Sequence, residues 1–559
     1  MKQMKTRNKW LIAALAAVLI TGAGFTTVKL TDNYFEISKN LEIFTTLYRE
    51  LNIYYVDETN PGELMKTGID AMLESLDPYT NFIPEADMED YRFMTTGQYG
   101  GIGSLIRTVD GDVYISEPYE GFPAHKSGLK AGDKVIEVDG VTIADKDQEQ
   151  VSKLLKGSAG SVVKIKVQSY GDDKPRMVEV KREEIKIPDV PFYGIIDEGT
   201  GYIKLNSFTR TAGKSVREAF QDLKNNEGME KLVLDLRGNG GGLLVEAVNI
   251  TNMFIPKGLE VVSTRGKITD WDKTYKAINE PLDTEIPLVI LVDEGSASAS
   301  EIVSGALQDY DRAVVIGRNT FGKGLVQQTR DLFYNSKLKL TVAKYYIPSG
   351  RCIQRIDYAH KDIEGGVKEI PDSLLHRFET VGGREVIDGR GIEPDILIES
   401  EKMHKILMAL LEKNLFFKYA NKFSLENEDI GPPEKFGLTD EQYDHFADFV
   451  ISFDVSYTTS TEKAFERLLT TAREEGYYDP ATHEFEKLRE RIKPYGRNDL
   501  YNFRRDIQLV LEDEIVSRYH YQTGRIKAAL AKDPAVDEAR TVLKNGTYKQ
   551  ILSAAYTRK

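Results

Sequence analysis

One continuous apolar run, Pro287–Val292, leads directly into a turn of small residues and then into an apolar helix pattern. An apolar run of this length is typical of a buried strand. The turn reads Asp-Glu-Gly-Ser-Ala-Ser-Ala-Ser over Asp293–Ser300, so it presents serines at a predicted helix start. This feature indicates an α/β core with serine hydroxyls where a buried strand ends.

A lysine, Lys323, lies between two glycines beyond the predicted helix. A serine that can meet a lysine, with no histidine in the segment, suggests a Ser–Lys hydrolase. Two simpler interpretations fit parts of the same segment. Ser298 and Glu301 match a helix-capping box, and the residues from Gly317 match a phosphate-binding loop except at Gly324, where Ser or Thr should bind magnesium.

Length, charge and composition exclude several classes of function. The chain has 559 residues, enough for roughly two to four domains. A net charge of −14 argues against nucleic acid as the main partner. Cys352 is the only cysteine, so an intramolecular disulfide is impossible. The 7 histidines show no close metal-ligand spacing, and we expect no metal and no other cofactor.

The first residues resemble an export signal. Basic residues precede an uncharged apolar run from Trp10 to Val28, and the basic side of such a run stays in the cytoplasm. We expect residues 1–30 to be a signal peptide or an uncleaved anchor in the inner membrane. The rest of the chain is expected in the periplasm.

Short alternating strands with glycine turns occupy residues 96–185. Tyr99–Gly103 opens this unit, Ala131–Gly140 forms a strand and turn, a helix is predicted at Gln148–Leu155, and Val162–Val167 is expected to close it. The arrangement resembles a bacterial PDZ domain, which binds an extended C-terminal tail as an added strand. The glycine-rich opening offers backbone N–H groups to the terminal carboxylate. The expected carboxylate-binding residues are Gly100, Gly101, Ile102 and Gly103.

An amide hydrolase needs a nucleophile, a base and an oxyanion hole. Ser298 follows a buried strand at a helix N-terminus, where the N–H of Ala299 can donate to an oxyanion. The glycine-rich loop Asp235–Gly242 can supply a second donor. A lysine has an ordinary pKa of roughly 10.4, so Lys323 needs an apolar pocket to be neutral. Gln327 can orient the amine without adding charge.

Several motifs together resemble the C-terminal processing peptidases, also called tail-specific proteases. They occur in the family's order over about residues 38–400. The motifs are Leu76–Thr80, the PDZ unit, Leu236–Gly242, Gly295–Glu301, Thr320–Gln327 and Gly391–Asp395. The resemblance selects Ser298 over Ser296, Ser300 and Ser304 as nucleophile. It makes Lys323 the general base, Gln327 its assistant, and Gly241 and Ala299 the oxyanion donors.

The resemblance also implies a mixed α/β fold, with a PDZ domain inserted in a protease core distantly similar to crotonase and Clp protease. Apolar periodicity separately predicts helices over residues 38–76 and beyond residue 400. The expected domains are a helical part of the protease at 31–95, the PDZ domain at 96–185, the core at 186–400 and a C-terminal helical domain at 401–559. Two segments depart from the plain family pattern: an insertion, Asp357–Ile387, and the helical region 400–559, which extends past the usual core. The implied function is endoproteolysis of proteins with apolar C-termini, possible without metal or nucleotide.

Two other functions remain open at this stage. A membrane-tethered PDZ adaptor would bind C-terminal tails without cutting them, and the presence of both Ser298 and Lys323 disfavours it. A crotonase-like acyl-CoA enzyme would also use glycine oxyanion loops, but the export signal argues against it. The C-terminal helices can bind an adaptor, form a homo-oligomer or pack on the core.

Overall fold

The computed structural model describes residues 34–361, 365–399, 403–453, 455–492 and 496–553. The predicted signal or anchor at residues 1–30 lies outside these ranges. No helix in the described ranges is both long and apolar enough to cross a membrane. The chain divides into two units, Met1–Phe82 and Ile83–Lys559.

The first unit is helical where apolar periodicity predicts helices. Helix α1 covers residues 34–54, and α2 covers Pro61–Glu74. Asn60 starts α2, because its side-chain oxygen accepts the N–H groups of Gly62 and Glu63 and Pro61 occupies the first helical position. A short strand, β1, follows at Asn81–Ile83.

The PDZ-like region opens the second unit. Its elements are α3 (Met88–Thr96), β2 (Gln98–Gly101), β3 (Ser104–Val109), β4 (Asp112–Pro118), α4 (Pro123–Lys126), β5 (Lys134–Val138), β6 (Val141–Thr142), α5 (Gln148–Leu155), β7 (Val162–Gln168), β8 (Arg176–Lys181) and β9 (Glu183–Lys186). The sheet runs in the order β3-β4-β5-β7-β8, β6 pairs with β5, and β2 pairs with β9. Strand β3 is therefore an edge strand. The prediction that Val162–Val167 closes this unit is wrong, because β8 and β9 follow it.

The protease-like core contains two sheets. Its elements are β10 (Phe192–Asp197), β11 (Thr200–Lys204), α6 (Ala212–Asn226), β12 (Lys231–Asp235), α7 (Leu244–Thr251), β13 (Glu260–Gly266), β14 (Lys273–Lys276), β15 (Leu288–Val292), α8 (Ala299–Asp309), β16 (Val314–Gly317), β17 (Leu325–Asp331), β18 (Lys337–Tyr346), β19 (Ile356–Asp357), β20 (Lys368–Glu369), β21 (Arg377–Glu379), β22 (Glu385–Ile387) and β23 (Ile396–Leu397). The larger sheet has the order β10-β11-β12-β15-β16-β23. All of its neighbours are parallel except β10 and β11. In the second sheet, β18 pairs with β17 and β13, and β13 pairs with β14.

The predicted buried strand is β15, at the centre of the larger sheet. All five of its residues are buried. One face of the sheet packs on α6, α7 and α8 in a core that includes Phe220, Phe254 and Ile302. The strands run parallel, so the turn after β15 and the loop after β12 emerge at the same edge. This edge carries the candidate catalytic residues.

The remaining residues form helices, as their periodicity predicts. The helices are α9 (Lys405–Glu412), α10 (Leu415–Glu426), α11 (Asp440–Ile451), α12 (Ser460–Glu474), α13 (Thr482–Ile492), α14 (Gly496–Asn502), α15 (Arg504–Leu530), α16 (Pro534–Lys544) and α17 (Thr547–Ile551). Helices α9, α10, α11, α14 and α15 share an apolar core rich in Phe and Tyr. Helices α16 and α17 instead cover the other face of the larger sheet, where Val536 and Ile551 join Val289 and Leu291. Part of the C-terminal region is thus packed on the protease core.

The segment Asp357–Ile387 forms two short antiparallel hairpins, β19–β20 and β21–β22, with residues 362–364 outside the described ranges. Arg384 anchors the second hairpin. Its Nη1 lies 2.6 Å from Asp395 Oδ1, its Nε lies 2.6 Å from Asp311 Oδ1, and its Nη2 donates to the carbonyl of Gln308. The insertion therefore braces the C-terminal end of α8.

Candidate active site

Ser298 immediately precedes helix α8, at the end of the turn that follows β15. Its backbone has φ 56° and ψ −110°, a left-handed conformation that non-glycine residues rarely adopt and that commonly occurs at functional sites. The side chain is half-buried. Every residue of α8 from Ala299 to Asp309 is buried. Ser298 is thus held in an unusual conformation by a rigid, buried helix.

The neighbouring serines have hydroxyl groups that already donate to backbone carbonyls. The Oγ atoms of Ser296, Ser300 and Ser304 lie 2.8 Å from the carbonyl oxygens of Leu236, Asn239 and Ser300, respectively. All three side chains are buried. This difference favours Ser298 as the accessible nucleophile among the four serines.

Gly241 lies directly against the Ser298 turn. Its φ is +97°, and a Cβ at this position would lie 2.7 Å from the carbonyl oxygen of Ala297 and 2.9 Å from Ser298 Cβ and the nitrogen of Ala299. A side chain cannot fit there, so the loop after β12 approaches the turn only because residue 241 is glycine.

The two predicted oxyanion donors differ in their present bonding. The N–H of Gly241 donates to Oδ1 of Asn239 at 2.9 Å. Ala299 is the first residue of α8, where an N–H has no acceptor within its own helix. Donation from Gly241 to a substrate oxyanion therefore requires its bond to Asn239 to open or to be shared. The oxyanion roles of Gly241 and Ala299 stay predictions.

Glu301 connects the serine turn with the lysine loop. Its Oε2 accepts the backbone N–H of Ser298 at 2.8 Å and that of Lys323 at 2.9 Å. Its Oε1 accepts the N–H of Gly322 at 2.7 Å and the hydroxyl of Thr320 at 2.5 Å. The side chain is 0% exposed, and burial raises the pKa of Glu301 to about 7. The sequence predicts an apolar pocket for the Lys323 amine, and the structure places a carboxylate beside the Lys323 backbone.

Tyr345, on β18, makes a second connection between the same two residues. Its Oη lies 2.5 Å from the carbonyl oxygen of Lys323 and 3.1 Å from that of Ser298. The residue is 1% exposed. Sequence reasoning did not find Tyr345, because nothing distinguishes it from its neighbours in an ordinary strand. It treated Glu301 as a helix cap and as part of the family motif, although a carboxylate in a wholly buried helix needs several donors.

Gln327 lies on β17, two residues after the start of that strand. Its Nε2 donates to Thr341 Oγ1 on the neighbouring strand at 3.1 Å, which fixes the amide and leaves its carbonyl oxygen able to accept a further donor. The predicted bond between Gln327 and the Lys323 amine stays a prediction.

The residues predicted to bind a terminal carboxylate lie in β2 and in the connection between β2 and β3. The carbonyl oxygens of Gly100, Ile102 and Gly103 accept the N–H groups of Gly157, Ala124 and Tyr119 at 3.0, 2.7 and 3.0 Å. Gly101 pairs with Glu183 in β9. Gly103 has φ +72°, and a Cβ there would meet Phe122 Cβ at 2.6 Å. Carboxylate binding by these four residues stays a prediction.

A cavity of about 470 Å³ lies between β3 and α5, and we name it the β3–α5 groove. Its apolar lining is contributed by Phe93, Tyr99, Ile102, Leu105, Ile106, Tyr119, Leu155 and Ile187. Phe93 belongs to α3, which is also joined to the end of α5 by a 2.8 Å ion pair between Asp90 and Lys156. Among the described strands, β3 pairs with β4 alone, so its other edge faces this groove.

Models of three protein families match the chain. "Peptidase family S41" matches residues 199–364, "PDZ domain" matches residues 114–169, and "Probable PDZ-protease, C-terminal helical domain" matches residues 406–543. A carboxy-terminal-processing protease of Bartonella bacilliformis is 36% identical over 344 residues, which are 61% of this chain and 78% of that protein. The chain belongs to the carboxy-terminal-processing protease family.

The chain is also similar to a second bacterial protease and to a solved structure. A probable CtpA-like serine protease of Staphylococcus aureus is 33% identical over 371 residues, 66% of each chain. The solved structure of the photosystem II D1 C-terminal processing protease is 28% identical, covers 64% of this chain and 92% of that chain, and has a TM-score of 0.35. The family-model matches and the Bartonella relative show that the family is as predicted, and the elements of the structure show the predicted mixed α/β fold with a PDZ domain and a C-terminal helical domain. The molecule is a protease.

Among the described residues, no group of three or more His, Cys, Asp and Glu side chains is arranged to hold a metal ion.

Proposed function

We propose that this protease cleaves proteins that carry apolar C-terminal tails, with Ser298 as nucleophile and Lys323 as general base. The observation that supports this most directly is the shared carboxylate oxygen of Glu301. It accepts the backbone N–H groups of both residues at 2.8 and 2.9 Å, which holds their chain segments side by side. Ser–base pairs of this kind activate a hydroxyl for attack on an amide.

In the proposed reaction, Ser298 Oγ attacks the substrate carbonyl carbon while the neutral amine of Lys323 takes the hydroxyl proton. The oxyanion accepts the N–H of Ala299, and that of Gly241 once its bond to Asn239 opens. The C–N bond then breaks, and Lys323 returns the proton to the leaving amine. Water attacks the acyl-enzyme with Lys323 again as base, which regenerates Ser298.

Tail recognition is assigned to the β3–α5 groove. A peptide added antiparallel to the edge of β3 would satisfy the backbone groups of that strand. Its apolar side chains would enter the lining formed by residues such as Ile106 and Leu155. In this proposal residues 96–185 select the substrate, 186–400 cleave it, and 401–559 support both.

Export is a separate proposal, and it rests on the sequence of residues 1–30. Basic residues followed by the apolar run favour passage of the chain into the periplasm, with or without an inner-membrane anchor. Cell fractionation of the intact chain and of a variant lacking residues 1–30 tests it. Cytoplasmic recovery of the intact chain would contradict it.

The catalytic proposal is tested with an unfolded substrate that ends in an apolar tail and a matched substrate that ends in acidic residues. We expect wild-type protein to cleave only the first, and Ser298→Ala and Lys323→Ala to lose more than about a thousandfold in rate. Ser304→Ala is the matched control, because it removes a buried hydroxyl from the same helix and should retain activity. Tail binding without cleavage by wild-type protein would favour a non-catalytic adaptor.

A further inference from the structure

Two buried side chains connect the backbones of Ser298 and Lys323. One of them binds the two N–H groups and the other binds the two carbonyl oxygens. The carboxylate of Glu301 accepts both N–H groups, at 2.8 and 2.9 Å. The hydroxyl of Tyr345 lies 2.5 and 3.1 Å from the two carbonyl oxygens. One side chain comes from α8 and the other from β18. Both are almost fully buried, so water does not compete for these bonds.

We propose that Glu301 and Tyr345 are positioning residues, which together form a clamp that sets the distance between the Ser298 hydroxyl and the Lys323 amine. This inference rests on the proposed function, because it assigns a role relative to those two groups. Neither clamp residue needs to touch the substrate. Each acts by fixing a chain segment from which a reacting group projects.

Helix capping alone does not explain the position of Glu301. A cap requires only its bond to the N–H of Ser298. The other three donors come from Thr320, Gly322 and Lys323, which belong to the loop after β16. Most of the hydrogen bonds to this carboxylate therefore stabilise the lysine loop rather than the helix start.

The loop that carries Lys323 is also hydrogen-bonded, through Thr320, to a later segment of the chain. The Thr320 hydroxyl that donates to Glu301 also accepts the N–H of Ile392 at 2.7 Å. A Cβ at Gly391 would lie 2.6 Å from Thr320 Oγ1 and 3.2 Å from Glu301 Oε1. A side chain at position 391, in the motif that follows the insertion, would therefore clash with the clamp, which explains the glycine there.

A small displacement of either segment would be costly. Misplacing reacting groups by about 1 Å can lower a rate by about a hundredfold. Glu301→Gln keeps the shape of the side chain but replaces one accepting oxygen with an N–H₂ donor, so one pair of the four donors loses its acceptor. Tyr345→Phe keeps the ring and removes the hydroxyl alone.

The test compares kcat and KM on the apolar-tail substrate, with thermal unfolding and tail-peptide affinity measured on the same samples. We expect kcat to fall about a hundredfold in Glu301→Gln and about tenfold in Tyr345→Phe. KM should stay within about twofold in both variants, because the β3–α5 groove is unchanged. Thr320→Ser, which keeps the hydroxyl, should retain more kcat than Thr320→Val.

Two residues at the other end of α8 provide matched controls. Asp309 is a buried carboxylate 2.9 Å from Arg351, and Tyr310 donates its hydroxyl to the carbonyl of Glu260 at 2.7 Å. Asp309→Asn and Tyr310→Phe remove comparable buried bonds without contacting Ser298 or Lys323. We expect them to lower the unfolding temperature while kcat stays within about threefold.

The clamp is overturned if Glu301→Gln and Tyr345→Phe retain kcat within about threefold, or if the two control variants lose kcat equally. If Glu301→Gln does not fold, Tyr345→Phe and the Thr320 pair decide the question. Failure of the clamp is distinct from failure of the proposed function. The latter shows as full activity in Ser298→Ala or Lys323→Ala, whatever the clamp variants do.

Discussion

In the site around Ser298 and Lys323, backbone groups are bonded to buried side chains, whereas in the β3–α5 groove one edge of a strand faces an open cavity. Glu301 alone accepts four donors. Strand β3, in contrast, pairs on one side only among the described strands. The difference indicates that the proposed cleavage site is already formed in the absence of substrate. The recognition surface, in contrast, is completed when the substrate pairs with the edge of β3.

The largest effect is expected where a side chain would enter the tightly packed serine site. In Gly241→Ala, the added Cβ would lie 2.7 Å from the Ala297 carbonyl and 2.9 Å from Ser298 Cβ. We expect kcat to fall about a thousandfold, because the turn and the proposed oxyanion donor are displaced together. Tail-peptide affinity should not change. Gly240→Ala, with nothing within 4 Å of its added Cβ, is the matched control, and equal losses in both variants would contradict this account.

The buried carboxylate should also make stability depend on pH. The pKa of Glu301 is raised to about 7 from its ordinary value of 4.5, chiefly by burial. The folded state favours the protonated form of Glu301. The contribution of this group to the free energy of unfolding is therefore complete below pH 4.5 and is lost as pH rises through 7. It amounts to roughly 3 kcal/mol in the free energy of unfolding. The difference between wild-type protein and Glu301→Gln, measured by denaturant unfolding from pH 4.5 to 8, should show this slope; parallel curves would contradict it.

A charge placed in the groove should weaken recognition without altering the chemistry. Leu105 lines the β3–α5 groove and is exposed, so Leu105→Asp should fold normally. We expect kcat/KM for the apolar-tail substrate to fall about tenfold, with an unchanged rate on a short peptide that bypasses the groove. Met177→Asp, on β8 at the other edge of the same sheet, should have no effect. A uniform loss on both substrates would break the division between recognition and cleavage.

A smaller effect on stability is expected at the ion pair that joins helix α15 to strand β4 of the PDZ domain. Arg525 lies 3.0 Å from Glu117 on β4, and burial raises the pKa of Glu117. Arg525→Ala should lower the free energy of unfolding by about 1 to 2 kcal/mol, because it leaves a buried carboxylate uncompensated. Lys418→Ala breaks the more exposed pair with Asp110 and should cost less. Peptide affinity should stay within about twofold in both, as measured by titration.

Elements with a strong local pattern were predictable from the sequence. The run Pro287–Val292 gave β15, and the amphipathic segment Gln148–Leu155 is α5. Strands β13 and β14 were not predicted, because Glu260–Gly266 and Lys273–Lys276 lack a clear alternation of apolar and polar residues. Strand β8 is not predicted, although its apolar and polar residues alternate regularly, because Val162–Val167 is expected to be the last strand of the PDZ unit.

The candidate site was predictable as a set of motifs and not as a set of contacts. Ser298, Lys323 and the loop of Gly241 were chosen from local sequence and family resemblance. The role of Glu301 toward Lys323 and that of Tyr345 depend on packing between distant segments, which leaves no periodic signal in the chain.

The packing of α16 and α17 on the larger sheet has a consequence for the order in which the molecule is made. Domains generally fold as units while the chain emerges from the ribosome. The strands around Val289 and Leu291 emerge long before Val536 and Ile551, which cover them in the finished fold. Until then, one apolar face of the catalytic sheet has no partner. The sheet is therefore completed only after the C-terminal helices have been synthesised.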